Sequence, residues 1–144
     1  MIEYIDVQKI WQDNDLIQLR VVCSSAVITA VTEIYVSDFV INDLIFQINQ
    51  FINGQVVESF WANEERGDDS TACVSLRFLH KDKLGHILVE VFMELDDGGS
   101  YRTHNCCFYV NTEIGLLATF CEKLPQLKQE ESKIRIVLND DGLV

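Results

Sequence analysis

Three histidines and an aspartate, His80, Asp82, His86 and His104, are the residues whose types suit metal ligation or proton transfer. Imidazole and carboxylate donors fit Zn²⁺ or Fe²⁺. His80 and His86 flank the polar run Lys81-Asp82-Lys83-Leu84-Gly85, which reads as a hairpin turn without a defined ligand spacing, and His104-x-Cys106-Cys107 contains no CxxC pair. The expectation is ordinary surface and cross-strand histidines, with no metal and no cofactor. A metal-dependent enzyme built on this His/Asp cluster is the alternative. Cys106 or Cys107 with His104 is the one nucleophile–base pairing on offer, because residues two apart share a strand face. No glycine-rich elbow or helix N-terminus adjoins it to stabilise an oxyanion. Both thiols are therefore expected to be buried core residues, and no catalytic residue is assigned. Acid pairs such as Asp96-Asp97, or Glu90 with Glu94, are expected to be solvated, and Gly85 and Gly98-Gly99 lack the spacing of a phosphate-cradling loop.

The segment from Val56 to Ser70 carries a different chemistry, association rather than reaction. It joins Phe60 and Trp61 to five acids, Glu58, Glu64, Glu65, Asp68 and Asp69, against the single cation Arg66. Aromatic anchors ringed by carboxylates suit a basic protein surface, since the field steers encounter while a buried ring supplies affinity. The expected partner-binding residues are Glu58, Trp61, Glu64, Glu65, Asp68 and Asp69, joined by the Asp96-Asp97 turn. The competing reading is that Phe60 and Trp61 pack on a sheet while the acids only keep the loop soluble. The 11 Lys plus Arg against 23 Asp plus Glu leave a formal charge of −12, which disfavours phosphate backbones and anionic membranes and favours basic partners.

Positioning these residues falls to a chain of 144 residues, read as a single domain over residues 1–144. Its 48% hydrophobic content and one proline exclude a disordered or collagen-like polymer. Leu16 to Cys23 and Val27 to Val36 are rich in β-branched residues and predict an antiparallel hairpin through Ser24-Ser25. The period then changes: Ile41, Leu44, Ile48, Phe51 and Ile52 recur at helical steps, predicting a helix over Asp38 to Asn53, capped by Ser37 or Asp38 and ended by Gly54. Thr71 to Leu79, His86 to Leu95 and Tyr101 to Val110 alternate as a three-stranded meander, with His86, Glu90 and Glu94 on a solvent face. Thr112 is placed as the cap of a second helix with Leu117, Phe120, Cys121 and Leu124 as its stripe, ended or bent by Pro125. Lys133 to Leu138 is expected to be a last edge strand. The fold class is α+β: one mainly antiparallel sheet of five or six strands in the order ββαβββα, with two helices on one face.

Cys23, Cys73, Cys106, Cys107 and Cys121 are odd in number and mostly lie in apolar periodic segments, which suits a reducing compartment. The opening Met1-Ile-Glu-Tyr-Ile-Asp lacks a basic n-region and apolar h-region, and no stretch nears the roughly 20 apolar residues of a membrane span. A cytoplasmic location is the expectation, with neither membrane nor nucleic acid as partner.

The layout as a whole resembles the WapI-type immunity proteins of bacterial polymorphic toxin systems and related small bacterial domains. The features that carry the likeness are the hairpin Leu16 to Val36, the helix around Asp43-Leu44-Ile45-Phe46-Gln47 and the Leu76-x-Phe78 strand. Gly85-His86-Ile87-Leu88-Val89-Glu90-Val91 and Tyr109-Val110-Asn111-Thr112-Glu113, leading into Leu116 to Leu127, complete it. The resemblance covers most of residues 11 to 127 and implies a cytoplasmic protector that binds and occludes a cognate toxin, one whose active surface the acidic charge suggests is basic. A self-associating module forming a homodimer through an open sheet edge is a further alternative.

Overall fold

The computed structural model describes residues 2–64, 72–95, 104–130 and 133–139. The elements run β1 (Tyr4–Gln12), β2 (Ile17–Ser24), β3 (Thr29–Val36), α1 (Asp38–Ile52), β4 (Ser59–Ala62), β5 (Val74–His80), β6 (His86–Glu94), β7 (Asn105–Glu113), α2 (Ile114–Lys123), a 3₁₀ turn (Leu124–Lys128) and β8 (Arg135–Leu138). The α+β class stands, but the single sheet of five or six strands is replaced by two antiparallel sheets of four, ordered β3-β2-β1-β8 and β4-β5-β6-β7. The helices do not lie on one face of one sheet. α1 packs against β3 and β4 and α2 against β7 and β8, so each helix touches both sheets.

This arrangement follows from where the apolar residues point. Ile5 and Val7 of β1, Leu19 and Val21 of β2, and Ile34 and Val36 of β3 face inward from the first sheet. Leu76 and Phe78 of β5 and Val89 and Val91 of β6 do so from the second, and Ile41, Leu44, Ile48, Leu117 and Phe120 enter from the helices into the same core. Period two on the strands and period 3.6 on the helices thus converge on one apolar volume.

The hairpin β2–β3 pairs from Ile17↔Val36 to Ser24↔Thr29, and the β5–β6–β7 meander is in place. Ser37 caps α1 by accepting the Val40 N–H at 3.3 Å, and Gly54 follows the helix with φ +74°. The second helix begins differently from its expected start. Thr112 lies within β7, buried, with its hydroxyl donating to Asn139 Oδ1 at 2.7 Å. The Ile114 N–H is satisfied instead by the Gly85 carbonyl of the β5–β6 turn at 2.9 Å, so backbone replaces a side-chain cap. Ahead of Pro125 the α-helix ends at Lys123, as expected, and the chain tightens into the 3₁₀ turn, at whose start proline needs no N–H partner.

Two strands fall where none was expected. β4 lies inside the segment read as a loop, and β1 pairs with both β2 and β8, the latter through Ile5↔Leu138 to Gln8↔Arg135. Buried Asp6 accepts from Arg135 Nε at 2.9 Å and from Gln8 Nε2 at 3.2 Å. Asn139 joins the two sheets: its amide donates to the Glu3 carbonyl at 3.0 Å and the Asn111 carbonyl at 2.7 Å.

Candidate functional site

Where β4 meets β5, the local sequence builds one wall of an open recess. Strand alternation sends Trp61 inward and Phe60 and Ala62 outward, while Ser75 and Arg77 stand opposite Ala62 and Phe60 on β5. Asn63 clamps the strand end: its side-chain carbonyl accepts the Val74 N–H at 2.7 Å and its amide donates to the Ala72 carbonyl at 2.9 Å. Asn63 is buried, so this reciprocal pair fixes where Glu64 leaves the sheet. Asp43 of α1 closes the other side. The recess, about 670 Å³, is lined by Asp43, Phe60, Trp61, Ala62, Glu64, Cys73, Ser75 and Arg77.

Among the expected contact residues, Glu64 lines this recess and Glu58 stands beside it, bonded to Arg77 Nη1 at 2.8 Å. Trp61 is only 5% exposed and its indole N–H donates to the Val40 carbonyl at 3.0 Å, so it ties β4 to α1 instead of projecting as an anchor. Trp61 thus reaches the recess only as part of its lining, and Phe60, 44% exposed, is the ring that faces outward. Glu65, Asp68, Asp69, Asp96 and Asp97 lie outside the described residues. The contribution missed from sequence is Asp43, whose helical position gave no hint that β4 would pack beside it.

Across the outer face of the second sheet runs a ladder of polar contacts. Arg77 Nη1 reaches Glu58 and its Nε lies 3.5 Å from Glu90, its guanidinium sits 4.9 Å from the centre of the Phe60 ring, and Tyr109 donates to Glu90 Oε2 at 2.9 Å. The Glu58 hydrogen bond pushes the Arg77 guanidinium above its ordinary range, and the Glu90 carboxylate raises the Tyr109 hydroxyl by accepting its hydrogen bond. Glu94, expected on a solvent face beside Glu90, is buried.

The histidines do not gather. His86 pairs with Glu113 at one end of the β6–β7 ladder, whereas His104 precedes Asn105, the partner of Glu94 at the other end. Eight residues of strand, about 27 Å, separate the two ends. His80 is exposed and stacks on Phe51 with ring centres 4.4 Å apart. Among the described residues, no three His, Cys, Asp or Glu side chains form a group suited to hold a metal ion.

His86 Nδ1 and Asp82 Oδ2 are 2.6 Å apart, and this contact, with the Leu84 N–H, holds the Asp82 carboxyl below the usual carboxylate range. A carboxylate-oriented imidazole is one part of an acid–base site. The hydroxyl nearest in role, Thr112 in the same recess as His86, is committed to Asn139. Burial pushes the Cys106 thiol up, away from the thiolate a nucleophile requires, and Cys107 is exposed rather than buried as expected.

No helix among the described residues is long and apolar enough to cross a membrane. No protein family, no curated protein and no solved structure matches this chain.

Proposed function

We propose that the chain is a non-enzymatic, immunity-like protein that binds and occludes a cognate basic toxin domain, acting in the cytoplasm. The observation that carries the reading is the convergence of Asp43 and Glu64 on one open recess beside the outward ring of Phe60. A chain of net charge −12 attracts a basic surface at long range, and a recess beside an exposed ring supplies the short-range contact that charge alone cannot. Occlusion needs no group that reacts. It needs a rigid face, and the indole bond from Trp61 to α1 together with the Asn63 clamp holds this one in place.

The test pairs the chain with the products of its neighbouring reading frames. A neighbour that arrests growth when expressed alone, and is silenced when this chain is co-expressed, supports immunity. Neighbours that are harmless, or a toxin unrelieved by this chain, reject it.

Self-association is favoured by a separate observation: Trp11 and Tyr35 form an exposed edge-to-face pair, with ring centres 6.3 Å apart, on the outer face of the first sheet. Light scattering across concentrations decides it, because a constant monomer mass rejects the homodimer.

A further inference from the structure

We propose that the outward pole of α1 and the adjoining recess form one docking surface for a basic amphipathic helix of the partner, an inference that rests on the binding reading above. The core stripe of α1 is Ile41, Leu44, Ile48 and Phe51. On the opposite pole, where a surface helix ordinarily carries polar residues, stand Phe39, 80% exposed, and Phe46, 54% exposed. Neither ring contributes to the core, and together they leave a two-ring apolar strip facing solvent.

Their spacing specifies the form of the occupant. Seven residues of helix place the two rings about 10 Å apart along the axis, the same repeat as apolar residues two turns apart on a second helix. Asp43 lies four residues after Phe39 and three before Phe46, on the same side of α1, and it also lines the recess with Glu64 and Phe60. The apolar strip and the recess are therefore continuous through one side chain, and the cation of the recess lining, Arg77, is paired with Glu58 and Glu90.

Charge specifies the sign. Between Asp38 and Ile52 the helix contains two acids and no lysine or arginine. Lys128 bonds Asn42 Oδ1 at 2.6 Å on the flank of α1 away from Asp43. A helix with an apolar stripe for Phe39 and Phe46 and lysine or arginine toward Asp43 and Glu64 complements both features, whereas a second copy of this chain would bring another −12 against them.

The experiment uses the full chain and two synthetic peptides of leucine and lysine, each about five helical turns long. One places leucine on a single helical stripe; the other scrambles the same composition. Binding is read by fluorescence anisotropy at low and physiological salt, for the native chain, Phe39→Ser with Phe46→Ser, and Asp43→Asn with Glu64→Gln. Circular dichroism confirms that each variant is folded.

The striped peptide should bind, lose about tenfold in affinity to the phenylalanine variant, and bind about tenfold more tightly than the scramble. The acid variant should weaken both peptides and flatten the salt dependence. If both peptides bind alike and ignore the phenylalanine variant while the acid variant weakens them, the helix inference falls and the basic-partner reading stands. If the acid variant leaves both peptides unchanged, the basic-partner reading falls and takes the inference with it. A concentration-dependent dimer abolished by Phe39→Ser with Phe46→Ser would make a second copy the occupant and overturn the proposal.

Discussion

Two arginine–carboxylate pairs share a nitrogen–oxygen distance of 2.8 Å and stand in unlike surroundings. In the first sheet, Arg135 meets Asp6, whose side chain is 5% exposed; in the second, Arg77 meets Glu58, whose side chain is 50% exposed. Equal distance does not mean equal dependence. Water solvates Glu58 if Arg77 leaves, whereas Asp6 has surrendered its hydration and has one oxygen, Oδ1, buried without a hydrogen bond. The first sheet's pair is a structural requirement. The second sheet's ladder sits on a solvated face whose charges can be changed at little cost to folding, a property that a recognition surface needs.

Arg135→Met should give the largest effect, about 1.5–3 kcal/mol of lost stability, since it strips a charged hydrogen-bond partner from a buried carboxylate. Urea unfolding measures it, and a loss below about 0.5 kcal/mol would erase the contrast between the sheets. Trp61→Phe should cost about 1 kcal/mol by deleting the indole bond to Val40 while keeping most of the ring volume. Were the indole a partner contact instead, stability would be unchanged and only binding would suffer. Arg77→Met should cost less than about 1 kcal/mol, as exposed pairs do, and a loss matching that of Arg135→Met would show that the outer ladder is structural after all.

The smallest effect is lost only at acid pH. The Asp82 carboxyl is lowered chiefly by His86, so its contribution is complete above the unfolded carboxylate pKa of about 3.9 and is lost as pH falls through the lower folded value. Melting temperatures of the native chain and Asp82→Asn should therefore converge toward the lowest pH and separate above it; parallel curves would deny the linkage. Thiol chemistry sharpens the comparison differently. Burial pushes the Cys121 thiol up to about 11, so a thiol reagent at pH 8 should modify exposed Cys107 first and reach Cys121 only on unfolding.

The hairpin, α1 and the meander were legible because each declares itself over a short window: apolar alternation in Leu19, Val21 and Cys23, a helical repeat through Ile41, Leu44 and Ile48, and alternation from Ile87 to Met93. β1 was hidden by its own inward positions. Its inner row reads Ile5, Val7, Lys9, and Lys9 is buried with its amine donating to Gln12 Oε1 at 2.8 Å and to the Gln129 carbonyl, a solution local patterning does not foresee. Thr112 had the residue type of a cap, but the carbonyl of Gly85, from a turn that precedes β6, fills that role. The four-stranded width of the first sheet depends on β8 finding β1, a pairing between distant parts of the chain that no window contains. At the recess, Glu58 and Glu64 were recognisable as acids beside aromatics. Asp43 was not, because the α1–β4 packing that places it is a tertiary choice.

The β1–β8 pairing also bears on birth at the ribosome. Asp6 emerges long before Arg135, so a nascent chain must carry β1 with one flank open and Asp6 without its arginine until β8 has been translated. Stalling before β8 is made would leave that flank available to other chains, and rare codons between residues 100 and 135 should be harmful for this reason rather than through any effect on the folded protein.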